Sequence, residues 1–178
     1  MATIDLIVLG MLKRESLSAY DIQKLVEYRN ISKWVKISTP SIYKKVIQLA
    51  DKGLIESETI QGENLADKVV YSLTDAGNLE LQKLMEELAD SPIRVFLDFN
   101  AVIVNMDCIP PEQQKKCIKK IEKNIKIMKS QLEDNRKDKE NNENVPAAGL
   151  AVLEQQYILI AAIEKWIQTF YEKESRQK

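Results

Sequence analysis

Apolar residues first recur along the chain at helical spacing. Across residues 3–13, Leu6, Ile7, Leu9 and Leu12 fall on a helix that a Thr3 cap would open and that closes before Ser16. This stretch is apolar on nearly every side, so it is expected in a core. Ser18 is placed to cap a second helix, residues 19–29, with Asp21 in its first turn and Ile22, Leu25 and Val26 on one face. A polar connector carrying Trp34 and Ile37 follows. Thr39 and Pro40 then predict a third helix, because threonine accepts a backbone N–H at an N-cap and proline supplies a fixed φ at the first helical position. That helix, residues 40–52, is expected to end at Gly53, where a left-handed cap favours a residue without Cβ. Ile42, Val46 and Leu49 point one way, and Ser41, Lys44, Lys45, Gln48 and Lys52 are read as a polar stripe on the other side.

Two strand-like runs follow, residues 54–60 and 68–73, with Gly62 and Asn64 suiting the hairpin tip between them. Thr74 and Asp75 then cap a fourth helix running to about Ala89. Ser91-Pro92 breaks the chain, after which a short apolar helix over residues 93–106, the pair Pro110-Pro111 and a lysine-rich helix to about Asp138 are predicted. In the lysine-rich helix Ile118, Ile121, Ile125, Met128 and Leu132 recur with the seam spacing of a coiled coil. Residues 136–145 are charged and asparagine-rich and read as a loop. A last helix, residues 147–174, carries Leu150, Leu153, Tyr157, Ile160, Ile163, Ile167 and Phe170.

These elements predict a mainly α chain. Residues 1–90 would form a winged helix-turn-helix, three helices plus a β-hairpin wing, and residues 91–178 an antiparallel helical, coiled-coil dimerisation region. In that arrangement the third helix can enter a major groove while the hairpin lies beside the backbone. The two apolar seams of the second region need partners, and another copy of the chain is one expected partner.

Composition narrows the chemistry. Histidine is absent from the 178 residues, which removes the commonest general base and metal ligand. Cys108 and Cys117 are the only cysteines, and their spacing matches neither a CxxC redox pair nor a zinc doublet. No GxGxxG, GxxxxGK[ST] or GxSxG string occurs. No enzymatic activity, cofactor or metal is expected. The apolar stretch around residues 95–104 is interrupted by Asp98 and Asn100, and no secretory leader is recognisable, so no membrane association and a cytoplasmic location are expected. The formal net charge is −1, yet the charged residues between Tyr28 and Ala50 are Arg29, Lys33, Lys36, Lys44 and Lys45, with no acid among them.

Five collinear strings resemble the PadR family of transcriptional regulators: Leu9-Gly10-Met11-Leu12, Leu17-Ser18-Ala19-Tyr20-Asp21-Ile22, Ser41-Ile42-Tyr43, Gly53-Leu54-Ile55 and Tyr71-Ser72-Leu73-Thr74-Asp75-Ala76-Gly77. The likeness covers roughly the first half of the chain; the second half is similar to the family's longer dimerisation regions in helical pattern and length only. The resemblance implies a homodimeric DNA-binding regulator, expected to be a repressor, that recognises an inverted repeat in double-stranded DNA. Its expected DNA-binding residues are Tyr20, Ser38, Thr39, Ser41, Tyr43, Lys44, Lys45, Gln48 and Lys68. Tyr20 either reaches a phosphate or packs on the hairpin, and Tyr43 is a flank contact or a core edge that the resemblance assigns to contact. Ala19 and Pro40 stand where the family commonly has glycine, and the wing sets Glu63 and Asp67 against Lys68, leaving Lys68 as its one expected phosphate contact. Tyr157, Trp166 and Phe170 are expected in a core or dimer seam, while some relatives bind small aromatic effectors between such helices. The lysines from Lys115 to Lys129 read as a solvated coiled-coil face. The rival reading is a helical protein-interaction module whose winged helix binds another protein.

Overall fold

The structure is a computed structural model that describes residues 2–35, 37–61, 67–140, 142 and 145–176. It divides into two units, Met1–Ile93 and Arg94–Lys178. The expected wing tip, with Glu63, and Lys36 of the basic island lie outside the described residues.

The first unit runs α1 (Ala2–Leu12), α2 (Ala19–Tyr28), a 3-10 turn (Ile31–Lys33), α3 (Ser41–Asp51), β1 (Ile55–Ile60), β2 (Lys68–Leu73) and α4 (Asp75–Ala89). Thr3 lies inside α1 and does not cap it: Ala2, a strong helix former, already belongs to the helix, and Asp5 sits at its positive end. At α2 the expected cap forms. The Asp21 amide donates to the Ser18 hydroxyl oxygen at 3.1 Å, and the Ser18 amide donates to the Asp21 carboxylate at 3.1 Å. α3 begins one residue later than the sequence predicts. Pro40, with φ −60° and ψ −21°, holds the N-cap position in helical geometry. The Ser38 and Thr39 carbonyls accept the Ser41 and Ile42 amides at 3.0 and 3.1 Å, so backbone replaces the expected threonine hydroxyl cap. At the other end Gly53 takes φ +67°. Its amide donates to the Ala50 carbonyl at 2.8 Å and that of Leu54 to the Leu49 carbonyl at 3.0 Å, the bond pair of a Schellman motif.

β1 and β2 pair antiparallel, with Ile55 opposite Leu73 and Ile60 opposite Lys68. Leu17, in the α1–α2 connector, exchanges both backbone hydrogen bonds with Tyr71 and ties the wing to the start of α2. Thr74 caps α4 by accepting the Gly77 amide at 3.1 Å and donates to the Gly53 carbonyl at 2.8 Å. Gly77 explains its own identity, because a Cβ there would overlap the Leu54 carbonyl. The core gathers Val8, Leu9, Ile22, Val26, Ile42, Val46 and Leu49 from α1, α2 and α3, all almost fully buried.

The second unit contains α5 (Asn100–Val104), a 3-10 turn (Met106–Cys108), α6 (Pro111–Glu140) and α7 (Ala147–Arg176). The helix predicted over residues 93–106 is mostly absent: residues 92–97 have no regular structure, and Val95 and Phe96 are exposed. Side chains left in water give no burial to hold a helix together. Conversely, α6 continues through residues 136–140, where a loop is predicted. Arg136 pairs with Glu154 at 3.1 Å, the Lys139 ammonium donates to Asn135 one turn back at 2.6 Å, and Lys137 and Lys139 favour the negative helix end.

Arg136–Glu154, Tyr157–Glu133 and Lys129–Glu164 join α6 to α7 with rising numbers on one helix meeting falling numbers on the other, so the pair is antiparallel. Ile118, Ile121 and Ile125 share a core with Ile160 and Ile167. The two seams are thus largely matched within the chain. Residues Ala147–Tyr171 are long and apolar enough, by length and composition, to cross a membrane, which the sequence reading did not anticipate. In the fold this stretch carries Ile160 and Ile167 into the core shared with α6.

Candidate nucleic-acid interface

α3 presents its outer face because Ile42, Val46 and Leu49 are fully drawn into the core. Tyr43 and Lys44 project outward with Ile47, which is 57% exposed. Gln48 and Ser41 are half-buried beside them, and Ser38 and Pro40 are exposed just ahead of the helix, with Thr39 half-buried.

Lys45 contradicts the expected polar stripe. It lies about 60° around the helix from Ile42, on the apolar side. It is only 8% exposed, and its Nζ lies 2.7 Å from Asp5 Oδ1 on α1. A long aliphatic stem lets lysine follow the core face while its ammonium finds a carboxylate. Lys45 is therefore removed from the expected DNA contacts.

Tyr20 is exposed on α2, and Lys24 lies over its ring at 5.5 Å. The sequence reading missed Lys24, although its i+4 offset from Tyr20 places both on one face of α2. Its ammonium meets Glu27 Oε2 at 3.0 Å, and Glu27, together with the phenols of Tyr20 and Tyr43, raises its pKa further above neutrality. Tyr20, Lys24, Tyr43 and Lys44 thus extend the polar surface from α2 onto α3.

Lys68 is exposed at the start of β2 and is ion-paired there. Its Nζ meets Asp21 Oδ2 at 2.7 Å, while the Ser18 hydroxyl donates to that same oxygen at 2.7 Å. The bond from Lys68, then those from the Ser18 hydroxyl and amide, outweigh burial and hold the Asp21 carboxyl below its ordinary pKa. The wing is anchored on the capping box of α2.

In the second unit, Trp166 stacks on Phe170 with ring centroids 5.7 Å apart and meets Phe99 at 6.1 Å. A cavity of about 820 Å³ opens beside them, walled by Phe96, Phe99, Ile121, Met128, Ile163 and Trp166. Asn124 and Gln156 add amide groups to the lining. Tyr157 is not part of this group. Its hydroxyl donates to Glu133 at 3.1 Å, and Lys129 and Arg136 lie 5.7 and 5.6 Å from its ring. Periodicity alone placed the three aromatics together; the charged residues of α6 separate them.

A three-helix core with a paired hairpin wing and an outward-facing third helix defines a winged helix-turn-helix protein. Residues 8–83 match the transcriptional regulator PadR-like family. The Bacillus subtilis negative transcriptional regulator PadR is 34% identical over 82 residues, which cover 46% of this chain and 44% of that protein. The chain thus aligns with under half of that relative's length. The structure is similar to that of Bacillus subtilis PadR in complex with operator DNA, at 23% identity and TM-score 0.77, covering 94% of this chain and 96% of that one. It is also similar to Bacillus subtilis PadR in complex with p-coumaric acid, at 19% identity and TM-score 0.76, covering 94% and 92%. At these identities the structural likeness establishes the fold. The likeness to the PadR-like transcriptional regulators is carried by residues 8–83, within the first unit.

Proposed function

We propose that the chain is a cytoplasmic, sequence-specific repressor that binds an inverted-repeat operator as a twofold dimer, with one α3 per half-site. The observation that carries this reading is the outward face of α3, where Tyr43 and Lys44 stand over a fully buried apolar side. Lys44 and Lys24 are suited to phosphates, Gln48 to an adenine edge, and Ile47 to a thymine methyl. The match to a regulator family and the likeness to a relative solved on operator DNA support it.

Dimerisation is assigned to the second unit. Val95, Phe96, Ile158 and Leu159 remain exposed after the seams of α6 and α7 have met each other, and a second copy would remove them from water. The cavity beside Trp166 is assigned to a planar aromatic effector. Its aromatic walls suit a ring and its amides suit a polar substituent, as the p-coumaric acid complex of a relative with this fold supports.

The rival reading, a winged helix that binds protein, draws on the exposure of Ile47. Selection of bound fragments from a random DNA pool by the full-length protein, with sedimentation of the protein alone, separates the two. An enriched inverted repeat and a dimer are expected; no enrichment would favour the protein-binding reading.

A further inference from the structure

Lys45 belongs to α3 but faces away from the surface that α3 offers. Leu49, Ile42 and Val46 flank it on one side of the helix, and its ammonium lies 2.7 Å from Asp5 Oδ1. That oxygen is buried, and no aligned hydrogen bond from the described residues reaches it. Charge attraction to Lys45 is its compensation. A buried ion pair is a poor source of stability, because well-packed apolar residues of similar volume are often as stable or more so. What the pair supplies is direction. The apolar contacts between α1 and α3 are non-directional, whereas an ammonium and a carboxylate in contact restrict both the rotation of α3 about its axis and its position along α1.

That rotation decides what the outer face shows. Successive residues are about 100° apart around the helix, so the directions of Tyr43, Lys44 and Ile47 are tied to that of Lys45. We infer that Lys45 and Asp5 form a positioning pair that sets the angle at which α3 meets the base edges, and so determines operator specificity without touching DNA. The inference rests on the DNA-binding reading above.

The test uses full-length protein, the operator recovered by selection, and unrelated DNA of equal length. The single variant Lys45→Met strands the buried Asp5 carboxylate, so the informative variant is Asp5→Leu combined with Lys45→Met. It is expected to keep the melting temperature and the salt slope of DNA affinity, because no phosphate contact is lost. The ratio of operator to unrelated-DNA affinity is expected to fall about tenfold. If the double variant does not fold, Asp5→Asn combined with Lys45→Gln, which removes both charges and keeps polar side chains of similar shape, is measured in the same way. A preserved ratio in the folded variant overturns the inference and leaves a merely structural pair. A slope reduced by about one unit also overturns it, since Lys45 would then be touching a phosphate. A wild-type protein that selects no operator overturns the DNA-binding reading itself, and this inference with it.

Discussion

Lys68 on the second wing strand meets Asp21 at the start of α2, Nζ to Oδ2 at 2.7 Å. The contact joins the hairpin to a capping box, so the wing and the helix-turn-helix share one carboxylate. Asp21 has a depressed folded pKa, with Lys68 as the largest cause. Its stabilising contribution is therefore fully present above the ordinary aspartate value of about 3.9 and is lost as pH falls through the lower folded value. Relative to Asp21→Asn, wild-type protein should have a higher melting temperature at neutral pH, with the difference shrinking below about pH 3.9. Melting curves across that range check this. A difference that is constant with pH would show that the charge on Asp21 is not what stabilises the junction.

Gly77 is expected to be intolerant of any side chain. A Cβ there meets the Leu54 carbonyl, which is backbone and cannot swing aside. Gly77→Ala should lower stability by about 3 kcal/mol, at the upper end of the overpacking range. Urea unfolding measures it. A loss within about 0.5 kcal/mol, typical of an unconstrained surface site, would mean that α4 and the hairpin are less closely apposed.

Much of the first unit is legible in the sequence because its decisive interactions are local. The Ser18–Asp21 capping box, the Gly53 turn and the Thr74 cap each involve residues within a few positions of one another, and each forms. The local caps expected from Thr3 and Thr39 do not form, and the other interactions that sequence does not reveal are those with distant partners. Lys45 finds Asp5 on α1, and nothing near Lys45 in sequence announces that carboxylate. Tyr157 shares the periodicity of Trp166 and Phe170, yet Glu133, Lys129 and Arg136 on α6 draw it into a polar cluster. Phe96 and Phe99 fall within one predicted helix, whereas irregular backbone over residues 92–97 and the turn before α5 bring them to the cavity wall. Hydrophobic pattern reports which side of an element is apolar, not which element answers it.

The effector reading has an optical test. Trp34 and Trp166 are the only tryptophans, so Trp34→Phe isolates Trp166 at the cavity wall. A planar phenolic acid is expected to quench the remaining fluorescence and to weaken operator binding by roughly tenfold. If a broad panel of such acids changes neither signal, the cavity is not an effector site.

Lys44 tests the central claim, that the outer face of α3 binds DNA. It is exposed on that face, next to Tyr43 and on the side away from the Lys45–Asp5 pair. Titration of labelled operator with wild-type and Lys44→Ala protein at several salt concentrations gives affinity and its salt dependence together. The account predicts weaker binding for the variant, with a slope of log affinity against log salt that is shallower by about one unit. Wild-type affinity and wild-type slope in the variant would contradict it.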